Sequence, residues 1–506
     1  MFDIPTSQRA VIIGVFTAFI VIQLGYAVYS RRSMKKSAVD KYVDDFYTGG
    51  RGMGAVVVAL IVAAGICGSG IFLAAPASAY KNGQAFLFGT VFSISMNLMV
   101  LGMIGKKTGI IARRGNIQSF LGLSYDRYEH NKIYCVLSGV ILLVFFTMFA
   151  ANTYAGGAKL FQAMTGQSYT TGLLIFTVIV LVTALMGGVK GVAGAIVFQG
   201  AIMTFAVLTF TVLGLRYGVQ SAGSMENVYR SLIKTAPQYF DLSTSVSSWP
   251  VVVFFAISGG MLAYTMPQAT MGTLVHKNTK SLHSAIKIGT IVVFIWIMGL
   301  TLLNPIVKYT FPDLGKYTDL GIPLLVIKTM PAWVAGLCLA GVSAAVQSSL
   351  NGMAVSLSSM VVNDIIFAFI PKASPEKMKK ITLATTTAIC ILLLLLAWNP
   401  PAFLYEISIY SVSAIGVAFG MPVLLGYYWK RANAWGAIAA IVTGIPTYIY
   451  VFHLPGVPYN SGLVAGLVVS FIADVVVSLL TPKPMLGTIK RWFCASYYDK
   501  EGNLLQ

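Results

Sequence analysis

Two adjacent hydroxyls, Ser348 and Ser349, sit deep in an apolar stretch that reads AGVSAAVQSSLNGMAVSLSSMVVND. Far away in the chain, the apolar stretch AAGICGSGIFLAAP, Ala63 to Pro76, carries Gly65, Gly68 and Gly70 ahead of its proline. A small hard cation such as sodium takes several oxygen ligands, which carbonyls and hydroxyls can supply. Unwound backbone frees carbonyls, and inside a bilayer it is tolerated only where it is buried in protein or lines a cavity. A glycine-broken helix opposite a serine-bearing one therefore has the chemistry of an ion or solute site. The competing reading of membrane serines is local: each hydroxyl bonds the carbonyl four residues back in its own helix.

The elements that must position these groups are membrane helices. The chain has 506 residues, 57% of them hydrophobic and only 10% charged, against about a quarter charged in soluble domains. About thirteen apolar stretches of roughly 20 residues recur, each long enough to cross a bilayer of about 30 Å. They lie near 8–29, 53–78, 83–105, 132–155, 170–188, 192–215, 249–271, 285–304, 333–360, 381–399, 403–428, 433–452 and 461–481, and are numbered as spans 1 to 13. Span 1 is no signal peptide: it is too long, lacks a small-residue cleavage site, and is followed by Arg31, Arg32, Lys35 and Lys36.

The net charge of +19 follows from topology and not from nucleic acid. With the amino terminus outside, most lysines and arginines fall on the inner side, among them Lys106, Lys107, Arg113, Arg114, Lys377, Lys379 and Lys380. This is the positive-inside bias. Cys67, Cys135, Cys338, Cys390 and Cys494 show neither a disulfide framework nor metal-ligand spacing. The outer loop at about 217–248 reads as holding a short surface helix, and residues 482–506 read as a cytoplasmic tail.

A second interruption, SGGMLAYTMPQATMG from Ser258 to Gly272, falls in span 7, five spans after the first. That spacing suits two inverted five-helix repeats, spans 2–6 and 7–11, each opening with a broken helix. Glycine also serves simple close packing in membrane helices; the matching positions of the two breaks favour a transporter. A channel would show a repeated filter of carbonyls or charges, and none is visible. His130, His276, His283 and His453 lie in loops or at span ends, and no nucleotide-binding loop occurs, so neither an intramembrane enzyme nor an ATP-driven pump is expected. Charge inside a bilayer is costly; Glu406 reads as interfacial and Asp474 as a structural contact.

The chain resembles the sodium–solute symporter family, and within it the sodium/pantothenate branch. The marks are DDFYTGGRGMG (Asp44 to Gly54), GSGIFLAAPASAYKNG, LGMIGKKTGIIARRGN (Leu101 to Asn116), YAGGAKLFQAMTGQSYTTGLLIF (Tyr154 to Phe176) and AAVQSSLNG (Ala344 to Gly352). The resemblance implies an all-α, leucine-transporter-type core of two inverted repeats, about 53–215 and 249–428, with accessory spans at 8–29 and 433–481. It implies a sodium site made by the carbonyls of Ala64 and Cys67, the carbonyl of Ala345 and the hydroxyls of Ser348 and Ser349. A register one residue earlier would use Ala63 and Ile66. It also implies a multi-pass protein of the cell membrane with its carboxyl terminus in the cytoplasm, and no obligatory protein partner.

Three departures accompany the matches. Where many members carry an aspartate for a second sodium, nine residues after the first glycine of Gly187–Gly188, this chain has Ile196. Where relatives read Pro-His-x-x-x-Arg in span 7, it has Pro267, Gln268 and Gly272. Where the proline-transporting members hold an aspartate in the first broken helix, it has Ile66. One sodium ion is therefore expected, with a small organic solute as the partner. A pantothenate-like carboxylate is favoured, held by half-helix amino termini whose exposed N–H groups attract anions. An amino acid, a sugar or another monocarboxylate, and proton or weak coupling, stay open. Candidate solute contacts beside the breaks are Gly68, Ser69, Phe72, Asn97, Asn152, Tyr264 and Gln268.

Overall fold

In lipid every backbone N–H and C=O must find a partner within its own segment, so apolar runs of this length have one common solution, the helix. The computed structural model describes residues 6–35, 41–68, 70–241, 248–366, 374–399, 404–458 and 460–493. Among these, eleven continuous helices are long and apolar enough to cross a bilayer, and two bent pairs bring the total to thirteen. Span 1 is Thr6–Lys35, span 3 Ala85–Arg114 and span 4 Lys132–Thr165. Spans 5 and 6 run as Tyr169–Met186 and Gly188–Ala222. Span 8 is Thr279–Thr310, span 9 Ala332–Ser359 with a wider π-type turn at Met360–Ile366, and span 10 Pro375–Leu396. Spans 11, 12 and 13 are Leu404–Tyr428, Ala434–Phe452 and Ser461–Leu480.

Local sequence sets the boundaries. The side chains of Asn131, Ser168, Asn278 and Asn433 accept N–H bonds in the first turns of spans 4, 5, 8 and 12, the standard way to satisfy orphan amide groups at a helix start. Within the spans, hydroxyls bond back onto their own helix, as in Thr177 to the Leu173 carbonyl at 2.8 Å and Thr204 to the Gly200 carbonyl at 2.8 Å. Spans 5 and 6 meet at Gly188, whose φ of 49° and ψ of −141° break the helix. A Cβ there would also lie 2.4 Å from the Phe46 carbonyl oxygen, so only glycine fits.

The two broken spans take matching shapes. Span 2 divides into Ala55–Ile66 and Gly70–Asn82, bent by 51°, and span 7 into Trp249–Thr265 and Pro267–Val275, bent by 52°. Packing around them is reciprocal. Span 3 lies along the first half of span 7, and span 8 along the first half of span 2. Span 4 packs on span 11 just as span 9 packs on the span 5–6 arm. Such exchange between spans 2–6 and 7–11 is what two inverted repeats produce.

Short helices complete the ends. The glycine-rich motif at Asp44–Gly54 forms the helix Tyr42–Thr48 and a left-handed turn at Gly49 and Gly50, with φ of 63° and 68°. The loop after span 6 carries the expected short helix, Met225–Thr235. Helices at Phe120–Arg127 and Gly321–Thr329 lie in the loops after spans 3 and 8. The carboxyl-terminal tail begins with a docked helix, Leu486–Phe493: Trp492 donates to Asp126 Oδ2 at 2.7 Å and Arg491 pairs with Asp126 Oδ1 at 2.8 Å. Asp474 is fully buried, accepts a hydrogen bond from Ser478 at 3.2 Å and packs against Gly436, the contact its position suggested. Glu406 is exposed at the start of span 11.

Spans 3 and 7 touch so closely that a Cβ on Gly259 would sit 1.8 Å from the Ser93 carbonyl oxygen. Backbone cannot yield as a side-chain tip does, and overpacking typically costs about 1–3 kcal/mol. Gly259→Ala is expected to lower the melting temperature of the purified protein by several degrees, roughly the shift such a cost gives; an unchanged melt would show that the spans separate freely.

Candidate ion and solute site

The first helix of span 2 ends because glycine accumulates where the chain must turn. Cys67 leaves helical geometry, with φ −101° and ψ 60°, while its N–H still donates to the Ala63 carbonyl at 2.7 Å. The next carbonyl, that of Ala64, instead accepts a hydrogen bond from Ser349 Oγ of span 9 at 2.8 Å. Ser348 Oγ donates to the Ala345 carbonyl at 3.0 Å. Gly68 faces the same place: a Cβ on it would lie 2.1 Å from Ser349 Oγ and 3.8 Å from the Ala345 oxygen. Past the break, the Gly68 carbonyl accepts from the N–H groups of Ile71 and Phe72, both at 3.1 Å, which restarts the helix.

The structure thus brings the Ala64 and Ala345 carbonyls together with the Ser348 and Ser349 hydroxyls, across 285 residues of sequence between Ala64 and Ser349. The Ala63 carbonyl is taken by the Cys67 N–H of its own helix, whereas the Ala64 carbonyl is the one that meets span 9. Cys67 adjoins the cluster at the break and is fully buried. Span 9 is enclosed along most of its length, which keeps these oxygens out of lipid. Neutral oxygens gathered at a helix break, turned away from both solvent and lipid, suit a hard monovalent cation.

The second break has a different cause. Pro267 has no N–H to continue the ladder and forces the preceding residue out of the helical region; Met266 is extended, with φ −89° and ψ 123°. The two breaks meet. A Cβ on Gly65 would lie 3.4 Å from the Gln268 carbonyl oxygen, and one on Gly352 would lie 3.6 Å from Gln268 Cβ. Gln268 therefore stands where spans 2, 7 and 9 converge.

Beside this junction is a cavity of about 110 Å³. Its polar lining comes from Thr90, Ser93 and Asn97 on one face of span 3, Ser258 and Gln268 of span 7, and Ser408 of span 11; Phe149, Phe255 and Ile409 are among its apolar walls. No charged side chain lines it among the described residues. Of the expected contacts, Asn97 and Gln268 line the cavity, and Ser69 lies outside the described residues. Gly68 faces the serines of span 9 instead. Phe72 is fully buried with its ring edge-on to Trp296, 5.8 Å between centroids, and serves packing. Tyr264 lines a separate cavity with Thr108, Arg127 and Tyr427, because it stands on the far side of the span 7 helix. Asn152 lines a separate cavity and donates to Ser408 Oγ of this one at 2.7 Å.

Thr90, Ser93, Ser258 and Ser408 escaped the sequence reading. The first two had a signal, since Thr90, Ser93 and Asn97 follow the three- and four-residue spacing of one helix face; Ser408 had none.

The end of the bundle near His276 is tied shut. Met53 and His276 form a backbone bridge, with Met53 N–H to the Val275 carbonyl at 3.2 Å and Lys277 N–H to the Met53 carbonyl at 3.0 Å. Arg113 donates to the His276 carbonyl, and Arg51 donates to the Ile117 carbonyl at 3.0 Å. Burial, helped by the Arg113 charge, pushes the His276 imidazole down to about 4, so it is neutral at pH 7.

Residues 46–444 match the model of the sodium:solute symporter family. The chain is 29% identical over 437 residues to the sodium/pantothenate symporter of Escherichia coli K12, covering 84% of this chain and 87% of that one. It is 26% identical to the high-affinity proline transporter PutP of Bacillus subtilis 168, covering 92% and 96%. Among solved structures it is similar to the substrate-bound, outward-open state of a Na+-coupled sialic acid symporter, with a TM-score of 0.80, 20% identity, and coverage of 94% and 98%. A nucleobase-cation-symport-1 family transporter in a closed conformation matches with a TM-score of 0.54 at 13% identity, covering 88% and 97%. These likenesses establish the leucine-transporter-type fold.

A methyl group at residue 68 would displace Ser349 from the Ala64 carbonyl. Gly68→Ala should therefore weaken sodium-dependent thermal protection of the purified protein at least tenfold in half-saturating concentration, roughly the effect of misplacing one ligand by an ångström. Cys67→Ala should leave it unchanged if, as expected, residue 67 contributes no side-chain ligand. The check is a melting curve titrated with sodium chloride against choline chloride.

Proposed function

The chain belongs to the sodium:solute symporter family, and on that premise we propose that it couples the entry of one sodium ion to uptake of a small carboxylate of the pantothenate kind. It is a transporter rather than an enzyme. The observation that carries the ion assignment is the 2.8 Å approach of Ser349 Oγ to the Ala64 carbonyl. Sodium is held by the carbonyls of Ala64, Cys67 and Ala345 and the hydroxyls of Ser348 and Ser349. The solute sits in the adjacent cavity beside Asn97 and Gln268.

Two considerations support the solute class. The relatives matched over most of their length include sodium/pantothenate symporters from two organisms. Proline transporters match as well, but among the described residues no carboxylate lines the cavity to meet an amino group, and Ile66 holds the place of the proline transporters' acid. One ion is favoured because Ile196 is a buried aliphatic residue where relatives carry an aspartate for a second.

Sodium ordering the break in span 2 against span 9 links ion to solute, since Gly65 and Gly352 both lie beside Gln268. With sodium bound from outside, the pocket is complete. Inward opening requires spans 2 and 9 to part and the Met53–His276 bridge to yield, and both ligands then leave to the cytoplasm. The working units are the repeats at about 53–215 and 249–428, with spans 1, 12 and 13 as supports. The amino terminus is outside and the carboxyl terminus cytoplasmic, in the plasma membrane.

One charge moving down about 100 mV supplies roughly 2.3 kcal/mol, and a tenfold sodium gradient about 1.4 kcal/mol. A neutral solute could use both. A monocarboxylate moving one-to-one with sodium carries no net charge, so only the concentration term remains.

Proteoliposomes given labelled pantothenate and an imposed sodium gradient should accumulate it, whereas a proton gradient alone should not drive uptake. Ser348→Ala combined with Ser349→Ala should abolish the sodium dependence. Uptake indifferent to sodium would refute the ion assignment. A potassium–valinomycin potential should leave the accumulation ratio unchanged; a voltage-driven rise would mean more than one sodium per carboxylate.

A further inference from the structure

Gln23, Gln199 and Asn351 leave amide atoms unpaired in the core, but beside the breaks three residues with unpaired polar atoms line one space. Both amide atoms of Asn97, the hydroxyl of Thr90 and Oε1 of Gln268 are buried without a hydrogen-bond partner. Their residues are 1%, 5% and 4% exposed, and all three line the same cavity. Buried polar groups are nearly always paired, and leaving one unpaired is costly. Thr177, Thr183 and Thr204 each bond the carbonyl four residues back; Thr90, like Thr211, Thr310 and Thr382, does not, and of these four it is Thr90 that lines this cavity.

The pattern of the orphans describes their occupant. Asn97 offers a donor and an acceptor side by side, Thr90 can act as either, and Gln268 Oε1 accepts. An uncharged amide or hydroxyl, itself donor and acceptor, answers all of them. A carboxylate answers only the donors, and an ammonium only the acceptors. Among the described residues no lysine, arginine, histidine, aspartate or glutamate lines the cavity to pair with either charge.

We infer that Asn97, with Thr90 and Gln268, selects solutes by an uncharged amide or hydroxyl held within the cavity, so that the neutral middle of the solute is recognised rather than its charge. This rests on the proposed function in taking the cavity as the solute site. It makes Asn97 a specificity-determining residue. A hydroxy-amide acid fits through its neutral groups; a simple zwitterion such as proline offers donors and acceptors only as full charges, which no side chain among the described lining residues can pair.

Competition in wild-type proteoliposomes separates the two claims. Under a sodium gradient, labelled pantothenate is challenged with pantothenol, which keeps the hydroxyls and the amide but has no carboxylate, with pantoate, which keeps hydroxyls and a carboxylate but lacks the amide, and with L-proline. Pantothenol should inhibit within about threefold of unlabelled pantothenate, and proline at least a hundredfold more weakly, as expected when a site's buried polar groups are left unpaired. Pantoate should fall between them.

Asn97→Leu should raise the KM for pantothenate at least tenfold with the sodium half-saturation unchanged, and Thr90→Val, nearly the same shape, should raise it about threefold. A melting curve on each variant confirms that it is folded. An unchanged KM in folded Asn97→Leu, or pantothenol failing to inhibit while proline succeeds, overturns the inference and leaves pantothenate symport standing. If the wild type moves no pantothenate, the proposed solute is wrong. The same assay with labelled proline then decides the inference, because sodium-driven proline uptake contradicts a need for a neutral donor–acceptor group.

Discussion

Every element here answers to one constraint, that backbone polar groups have no water to turn to inside a bilayer. The helices obey it by closing their own ladders. The two broken spans depart from it most, at Cys67–Gly68 in span 2 and Met266 in span 7, and the packing around them shelters those departures. Span 9, enclosed along most of its length, supplies the hydroxyl that answers the Ala64 carbonyl. The second break lies against the first through Gly65 and Gln268, so the carbonyls that lose the helix gain protein neighbours rather than lipid.

The reciprocal packing gives this junction its mechanical meaning. Span 3 rides with the first half of span 7, and span 8 with the first half of span 2. Each repeat therefore grips the broken helix of the other. At one end the bridge between Met53 and His276 joins the start of span 2 to the end of span 7. Halfway along, Ser349 joins span 2 to span 9. Ties of this kind, a few hydrogen bonds each worth about 1 kcal/mol net, can be exchanged without unfolding a helix. A proposed cation at the second tie would be the natural means of biasing that exchange.

The neutral cavity belongs to the same economy. A fixed charge at membrane depth is expensive unless paired, and the chain places its charges elsewhere: Arg113 and Arg51 at the tied end, Asp474 against Ser478 in span 13, and Asp126 against the docked carboxyl-terminal helix. What remains beside the breaks is amide and hydroxyl chemistry, which discriminates by matching donors to acceptors.

Much of the architecture was legible in the residues themselves. Thirteen spans, the two broken ones and their five-span separation follow from apolar length, glycine clusters and Pro267, because bilayer thickness and the backbone ladder leave so few alternatives. Residue chemistry suggested that Ser348–Ser349 oppose the first break, but that Ser349 meets the Ala64 carbonyl needed coordinates, since one residue of helical register turns a carbonyl by about 100°. The cavity was harder still. Phe72 and Tyr264 lie near the breaks in sequence yet face Trp296 and a separate cavity, while Thr90 and Ser408, distant in sequence, line it. Periodicity tells which residues share a face of one helix. Which face meets which neighbour is decided by the crossing of helices far apart in the chain, and only the tertiary structure holds that information.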